Sequence, residues 1–344
     1  MHTMYVAAIV VYSSYSAGKG FAIQIVYPAN DMSNKQQYIS ICQANRQIPV
    51  FLQHWWMDAV CTDWDVAIAM NGDTVAGIWP YNKEQKAGVS LIRTPKLTPY
   101  QGTYVLYPPD LKAANRDSFE HETVSELIKQ LPSANVWSMS LLPKQFQAGL
   151  YKHAGFTISA KQTFLIDLTQ DEQALLASMK ESLRRHIKSA NGTLEITEDN
   201  AAVNLLFEYQ KHTLDKKDVM QAYNLADMQR LMQACIDNYA GAIYVAKQGS
   251  DVLAAVWNVW DADNSYYLMG AQKQGNDNNK AMPALLWHCI QLAKQRGNKY
   301  FDLEGSMDTG VERFFRSFGG QRELYLTLKK NNSFIWKLKE MLRG

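Results

Sequence analysis

The sequence predicts an α/β (α+β) protein in which one structural unit is used twice, and three observations carry that prediction. A strand, a glycine turn and a second strand run over residues 65–81, with Asn71-Gly72-Asp73 at the turn, and again over 242–260 with Gln248-Gly249-Ser250. Ala69, Gly72 and Val75 match Ala246, Gly249 and Val252 at an offset of 177. After each hairpin come a helix, a strand, a helix ending in an aromatic residue and glycine, and a closing strand, with Gly155 matching Gly319 at an offset of 164. The two offsets differ by 13, which one change in loop length explains.

Length and composition agree with two packed domains. The chain has 344 residues, enough for two full cores, and is 47% hydrophobic and 20% charged. Its net charge of +2, with no long basic block, argues against nonspecific nucleic-acid binding and otherwise decides little. Cys42, Cys61, Cys235 and Cys289 are widely spaced without a CxxC pair, which suits reduced thiols in a cytoplasmic protein. The expected division is a leader over 1–31, an N-terminal domain over 32–165 and a C-terminal domain over 166–344 that holds the reactive and donor sites. The leader reads as disordered, or as upstream sequence translated from a start placed too early. Its apolar run is broken by Ser13, Ser14, Ser16 and Lys19, too short for a membrane span, and it has neither the basic region nor the cleavage site of a clear signal peptide.

Taken in order, residues 33–45 predict a short helix and 51–60 an aromatic helix start, with Trp55 and Trp56 as core anchors or, alternatively, as pocket walls beside Gln53 and His54. Beyond the first hairpin the expected elements are a helix over 124–131, a strand over 136–141, a helix over 146–155 and a strand over 163–168. Residues 171–190 predict one linking helix, with Asp171 and Glu172 at its start, Leu175, Leu176, Met179, Leu183 and Ile187 at helical spacing, and Asn191-Gly192 as its stop. Arg184, Arg185 and Lys188 gather near its end, either complementing the helix dipole or forming a clamp for a phosphate-bearing substrate. The second copy repeats a helix over 284–296, a strand over 300–303, a helix over 311–318 and a strand over 324–328.

The stretch 300–322, YFDLEGSMDTGVERFFRSFGGQR, is where polar chemistry concentrates. Alternation over 300–303 predicts a strand with Asp302 and Glu304 on one face, broken by Gly305 and Ser306. Phe314, Phe315 and Phe318 mark the buried side of the following helix, leaving Arg313 and Arg316 as candidate substrate-binding bases. Acids at a strand end beside a glycine break stand at the open end of a sheet, where α/β proteins place ligands, although they also serve as plain helix caps.

FDLEGS with RFFRSFG, the LRRHIKSA helix, FLQHWWMDAVC and the LTPYQG loop over 97–102 resemble the FemAB-like branch of the GNAT acyltransferase superfamily, over about residues 49–330. The resemblance implies two tandem GNAT-like domains, each a mixed, mostly antiparallel sheet flanked by helices, and transfer of an acyl or aminoacyl group to an amine. Such chemistry needs a proton acceptor and a held oxyanion. Asp302 and Glu304 are the candidate catalytic acids, and Lys96 and Tyr100 the candidate lining of an acceptor cleft between domains. Acyl-CoA and aminoacyl-tRNA are the donors the resemblance offers, with no tightly bound cofactor. Its acceptor is a small molecule or a lipid-linked cell-envelope precursor.

At the donor loop the sequence departs from that family. Acyl-CoA users carry a glycine-rich loop whose amides hold the pyrophosphate, whereas AQKQGNDNNKAMP has the single glycine Gly275, leaving Gln272, Gly275 and Lys280 as donor-binding candidates. A non-catalytic binding or scaffold protein that keeps the doubled fold is therefore the alternative. His288 reads as a core histidine, and His186 and His212 have no partner at metal-ligand spacing, so no metal is expected. The tail over 334–343, FIWKLKEMLR, reads as a basic amphipathic helix that packs on the last domain or touches a membrane surface from the cytoplasmic side.

Overall fold

The computed structural model describes residues 32–145, 147–275, 280–305 and 307–333. The expected leader and the basic C-terminal helix lie outside the described residues. The first half runs α1 (Asn34–Ala44), α2 (His54–Val60), β1 (Trp64–Asn71), β2 (Thr74–Asn82), β3 (Glu84–Lys86), β4 (Val89–Arg93), β5 (Tyr104–Val105), α3 (Arg116–Gln130), β6 (Val136–Ser140), α4 (Ala148–His153) and β7 (Thr157–Asp167). The second runs α5 (Glu172–Ser178), α6 (Glu181–Ala190), β8 (Glu195–Glu198), α7 (Val203–Asp215), α8 (Leu225–Asp237), β9 (Gly241–Gln248), β10 (Asp251–Trp260), β11 (Asn264–Gln272), α9 (Ala281–Gln295), β12 (Tyr300–Asp302), α10 (Thr309–Arg316) and β13 (Gln321–Asn331).

Local chemistry explains most of these boundaries. Ser33 begins α1 because its hydroxyl accepts from the Gln36 amide while the Gln36 side chain accepts from the Ser33 amide. Both hairpins form where expected, each with a glycine at positive φ in the turn, Gly72 at 59° and Gly249 at 61°.

Residues 171–190 do not form one helix. The chain turns extended at Met179, where the Lys180 amide donates 2.9 Å to the Ser317 carbonyl. Gly319, with φ 79°, lies so close to Ser178 that any Cβ there would overlap its backbone. Packing against the end of α10 thus overrides helical spacing. As a result Arg184 and Arg185 stand in the middle of α6, and of the three bases only Lys188 is in its last turn.

The ladder joins the halves more intimately than duplication alone foresees. One ten-stranded mixed sheet has the order β3-β4-β6-β13-β7-β12-β11-β10-β9-β8, and β1, β2 and β5 form a small second sheet. The pairs β4–β6 and β11–β12 are parallel and the rest of the ladder antiparallel. Each half's closing strand sits beside the other half's sheet: β7 pairs with β12, and β13 pairs with β6. The offset of 164 that relates Gly155 to Gly319 also relates the two ends of β7 to those of β13, Thr157 to Gln321 and Asp167 to Asn331. Where the two strands pair with each other, Lys161 lies opposite Tyr325, its own counterpart at that offset. The chain is thus a pseudo-two-fold pair that has exchanged its last strands.

Three apolar layers hold this arrangement. Under α5, α6, α9 and α10 lie Phe164, Leu285, Phe301, Phe315 and Phe318; under α3 and α4 lie Trp79, Leu127, Trp137 and Tyr151. The largest layer draws on both halves, with Phe51 and Tyr100 packed against Tyr266 and Tyr325. Each large side chain buried there contributes about 1.5–3 kcal/mol, so the junction is a core and not a sliding surface. Cys42, Cys235 and Cys289 are buried, Cys61 is half-buried, and all four are unbridged. Among the described residues no helix is long and apolar enough to cross a membrane.

Candidate active site

The pairing of β11 with β12 stops early. Its rungs are Asn264↔Tyr300, Ser265↔Phe301 and Tyr266↔Asp302, after which β12 ends while β11 continues to Gln272. The two chains therefore open a wedge whose apex is Asp302. On β11 the partners of Trp257 and Asn258 are Met269 and Tyr267, so Leu268 is the extra residue of a β-bulge two positions beyond the apex.

At the apex the carboxylates sit in an enclosed polar cluster. Asp302 is 2% exposed, and its Oδ1 accepts from the Glu304 amide at 2.7 Å, from the Thr163 hydroxyl, and at 3.5 Å from the Tyr100 hydroxyl. Its Oδ2 has no hydrogen-bond partner among the described residues. Burial pushes the Asp302 carboxyl up to about 6, against the opposing pull of the Thr163, Glu304 and Tyr100 donors. Glu304 is half-buried as a residue, but its Oε1 is enclosed without a hydrogen-bond partner among the described residues. Burial, and then the neighbouring Asp302, hold its carboxyl well above the ordinary range. Tyr100 and Tyr325 close the cluster in edge-to-face contact at 5.0 Å; burial and then the two acids raise both phenols, Tyr325 to about 12.

Glu304 does not share a strand face with Asp302 as alternation predicts. It lies past the end of β12 with φ 56°, followed by Gly305 at 58°. A Cβ at Gly305 would overlap the Gln162 carbonyl of β7, so the turn is wedged against the exchanged strand and the two acids are thrown together at its corner.

In the first half the equivalent wedge is closed. The strands β4 and β6 pair through Arg93↔Ser138, but the following chain stays alongside β6: Thr94 donates to the Ser138 carbonyl, Gln101 donates to Ser140, and Leu142 donates to Gln101. Trp56 Nε1 donates 2.9 Å to Thr98 Oγ1 and anchors the same loop. Filling that wedge is what carries Tyr100 across to Asp302, and it places Trp56 as a core anchor.

The other sequence-predicted residues are not gathered at the apex. Lys96 is held 2.5 Å from Asp227, which also accepts from Arg230 and from the amide of Asn224, the residue that caps α8. Arg184, Arg185 and Lys188 are exposed on α6, with Arg185 paired to Glu181. Arg313 and Arg316 are exposed on α10, Arg316 beside Glu312. Gln272 ends β11, Gly275 follows it with φ 68°, and Lys280 immediately precedes α9, whose first turn has no side-chain cap. Gln272 is thus the last residue of the strand that forms one side of the wedge. His288 lies edge-on to Tyr244 at 5.7 Å, and burial lowers its pKa. No group of three or more His, Cys, Asp or Glu among the described residues could hold a metal. A cleft of about 440 Å³ near Ala69, Phe119 and His121 contains none of the predicted residues.

Sequence reasoning missed Thr163 and Tyr325. Both come from the exchanged strands, and only knowledge of that exchange would have flagged them.

A family profile described as an acetyltransferase (GNAT) domain matches residues 177–316. Among curated proteins no sequence matches. FemX is similar in structure, with a TM-score of 0.62 at 11% identity over 90% of this chain and 98% of that one. The C-terminal domain of a putative lysylphosphatidylglycerol synthetase from Agrobacterium fabrum gives 0.53 at 12% identity over 90% and 96%. L-PGS from Bacillus licheniformis gives 0.51 at 11% identity over 92% and 98%. Residues 177–316 therefore match the model of a GNAT acetyltransferase domain, and the chain as a whole shares the fold of FemX and of the lysylphosphatidylglycerol synthetase domain.

Proposed function

We propose that the protein transfers an acyl group, acetyl or aminoacyl, to an amine of a small molecule or cell-envelope precursor at the wedge between β11 and β12. The observation that carries this reading is Asp302, a buried carboxyl at the wedge apex with one oxygen unpaired and an affinity for protons near neutrality. In this reading the acceptor amine attacks the donor's acyl carbon as its proton passes to Asp302 Oδ2. The bond to the leaving sulfur or ester oxygen then breaks, and the proton leaves with that group. Glu304, whose carboxyl is pushed up by burial and by the neighbouring Asp302, stands beside it as a second acid, and Tyr100 and Thr163 fix the Asp302 carboxyl. The amides at the start of α9, which follows Lys280, are the groups this reading assigns to an anionic donor. The names of FemX and of the lysylphosphatidylglycerol synthetases support an envelope-directed acceptor, and a lipid-linked acceptor would bring the protein to a membrane surface.

One observation favours the second reading, a binding protein without transfer. Gly275 is the lone glycine between Gln272 and Lys280, and neighbouring Lys273 is occupied by Asp251 at 2.6 Å. Transfer from labelled acetyl-CoA and from aminoacyl-tRNA to a panel of amines, by the wild type and by Asp302→Asn, decides between them. The enzyme reading expects a rate lowered by about 10²–10⁴ in the variant. A wild type that binds neither donor leaves the scaffold reading standing.

A further inference from the structure

Tyr267 is the first residue of β11 beyond the last rung of the wedge, and its side chain points to the opposite face from Tyr266. Its ring lies edge-to-face with Phe315 of α10 at 5.4 Å, among the apolar side chains packed under α9 and α10. Its hydroxyl reaches forward along the strand over Gly270, so close that a Cβ at that position would overlap both the hydroxyl and the ring carbons. The hydroxyl makes no hydrogen bond among the described residues, and Glu304 is the first charged group to act on it. A large aromatic side chain on β11 therefore reaches from just beyond the wedge apex toward α10, on the face that α9 and α10 cover. The absence of a side chain at Gly270 is what allows it to lie there.

We infer that Tyr267 sets the size of the acyl group, limiting the wedge to short acyl thioesters. The inference rests on the transferase reading of the same wedge. Shape at a pocket floor discriminates by roughly 10- to 200-fold for each methylene that does not fit. An acyl chain longer than a few carbons meets the Tyr267 ring, which is backed by Phe315 and cannot retreat into the core.

The test measures binding of acetyl-, butyryl- and hexanoyl-CoA to the full chain by calorimetry, for the wild type, Tyr267→Ala and Tyr267→Phe. The expected result is a wild-type preference of at least about tenfold for acetyl-CoA over hexanoyl-CoA. That preference is lost in Tyr267→Ala and kept in Tyr267→Phe, which retains the ring. Gly270→Ala, which forces the ring aside, should move the preference in the same direction as Tyr267→Ala. An unchanged length preference in Tyr267→Ala overturns the inference, as does a wild type that binds all three thioesters equally or none of them. Thioester binding without transfer to any amine would instead count against the transferase reading while leaving the length preference to be read.

Discussion

Asp302 gives up its proton at a cost to the fold. A carboxyl whose folded pKa, about 6, lies above the unfolded 3.8 binds its proton more tightly in the native state, so ionising it destabilises. The cost is absent below the unfolded value and complete above the folded one, roughly 3 kcal/mol at 1.36 kcal/mol per unit. Asp302→Asn and Glu304→Gln should therefore melt higher than the wild type near pH 8 and lose that advantage near pH 4, as thermal unfolding would show. If Asp302 is the base, transfer rises with pH to a plateau above about 6, and the rise disappears in Asp302→Asn. Tyr100→Phe removes a donor that holds that carboxyl down, so the midpoint of the rise should move up, by less than about one unit. Gly305 can hold neither a Cβ beside Gln162 nor a comfortable left-handed side chain. Gly305→Ala should cost more than about 3 kcal/mol in urea unfolding.

At the scale of elements, the loop between β4 and β5 does two jobs, closing one wedge and delivering Tyr100 to the other. Lys96 belongs to this scaffolding. Lys96→Met leaves the buried Asp227 with Arg230 and its capping contacts, so stability should fall by about 1–3 kcal/mol while the pH midpoint of transfer stays put. The hairpins and the short strand that ends at Asp302 were legible because glycine turns, alternation and a glycine break are local signals. The break at Met179 was not, since no proline or glycine marks it and only the Ser317 carbonyl and the crowding at Gly319 impose it. Likewise Glu304 reads as the next residue of an alternating strand, and only the Gln162 carbonyl behind Gly305 shows why the chain must turn there. Arg184, Arg185 and Lys188 read in sequence as sharing a helix end, either complementing its dipole or forming a clamp, but the break at Met179 shortens the helix and only Lys188 is in the last turn of α6.

Over the whole molecule, repetition was legible and exchange was not: matched glycines report that a unit recurs, but nothing local says which half a closing strand will join. With β7 and β13 each lodged in the other half's sheet, neither half can melt alone. Urea unfolding should show one transition, followed identically by tryptophan fluorescence and by far-ultraviolet circular dichroism; two separated transitions would mean the halves are autonomous.

The meeting of Lys161 with Tyr325, each the other's counterpart, has a further consequence. A pairing register that maps onto itself under rotation is the register two identical chains would adopt. A polypeptide carrying only one copy of this unit would need a sister molecule to supply the missing strand. The linker from β7 to α5 does covalently what self-association would otherwise have to do, and frees one of the two copies to give up its opening and become a wall for its neighbour.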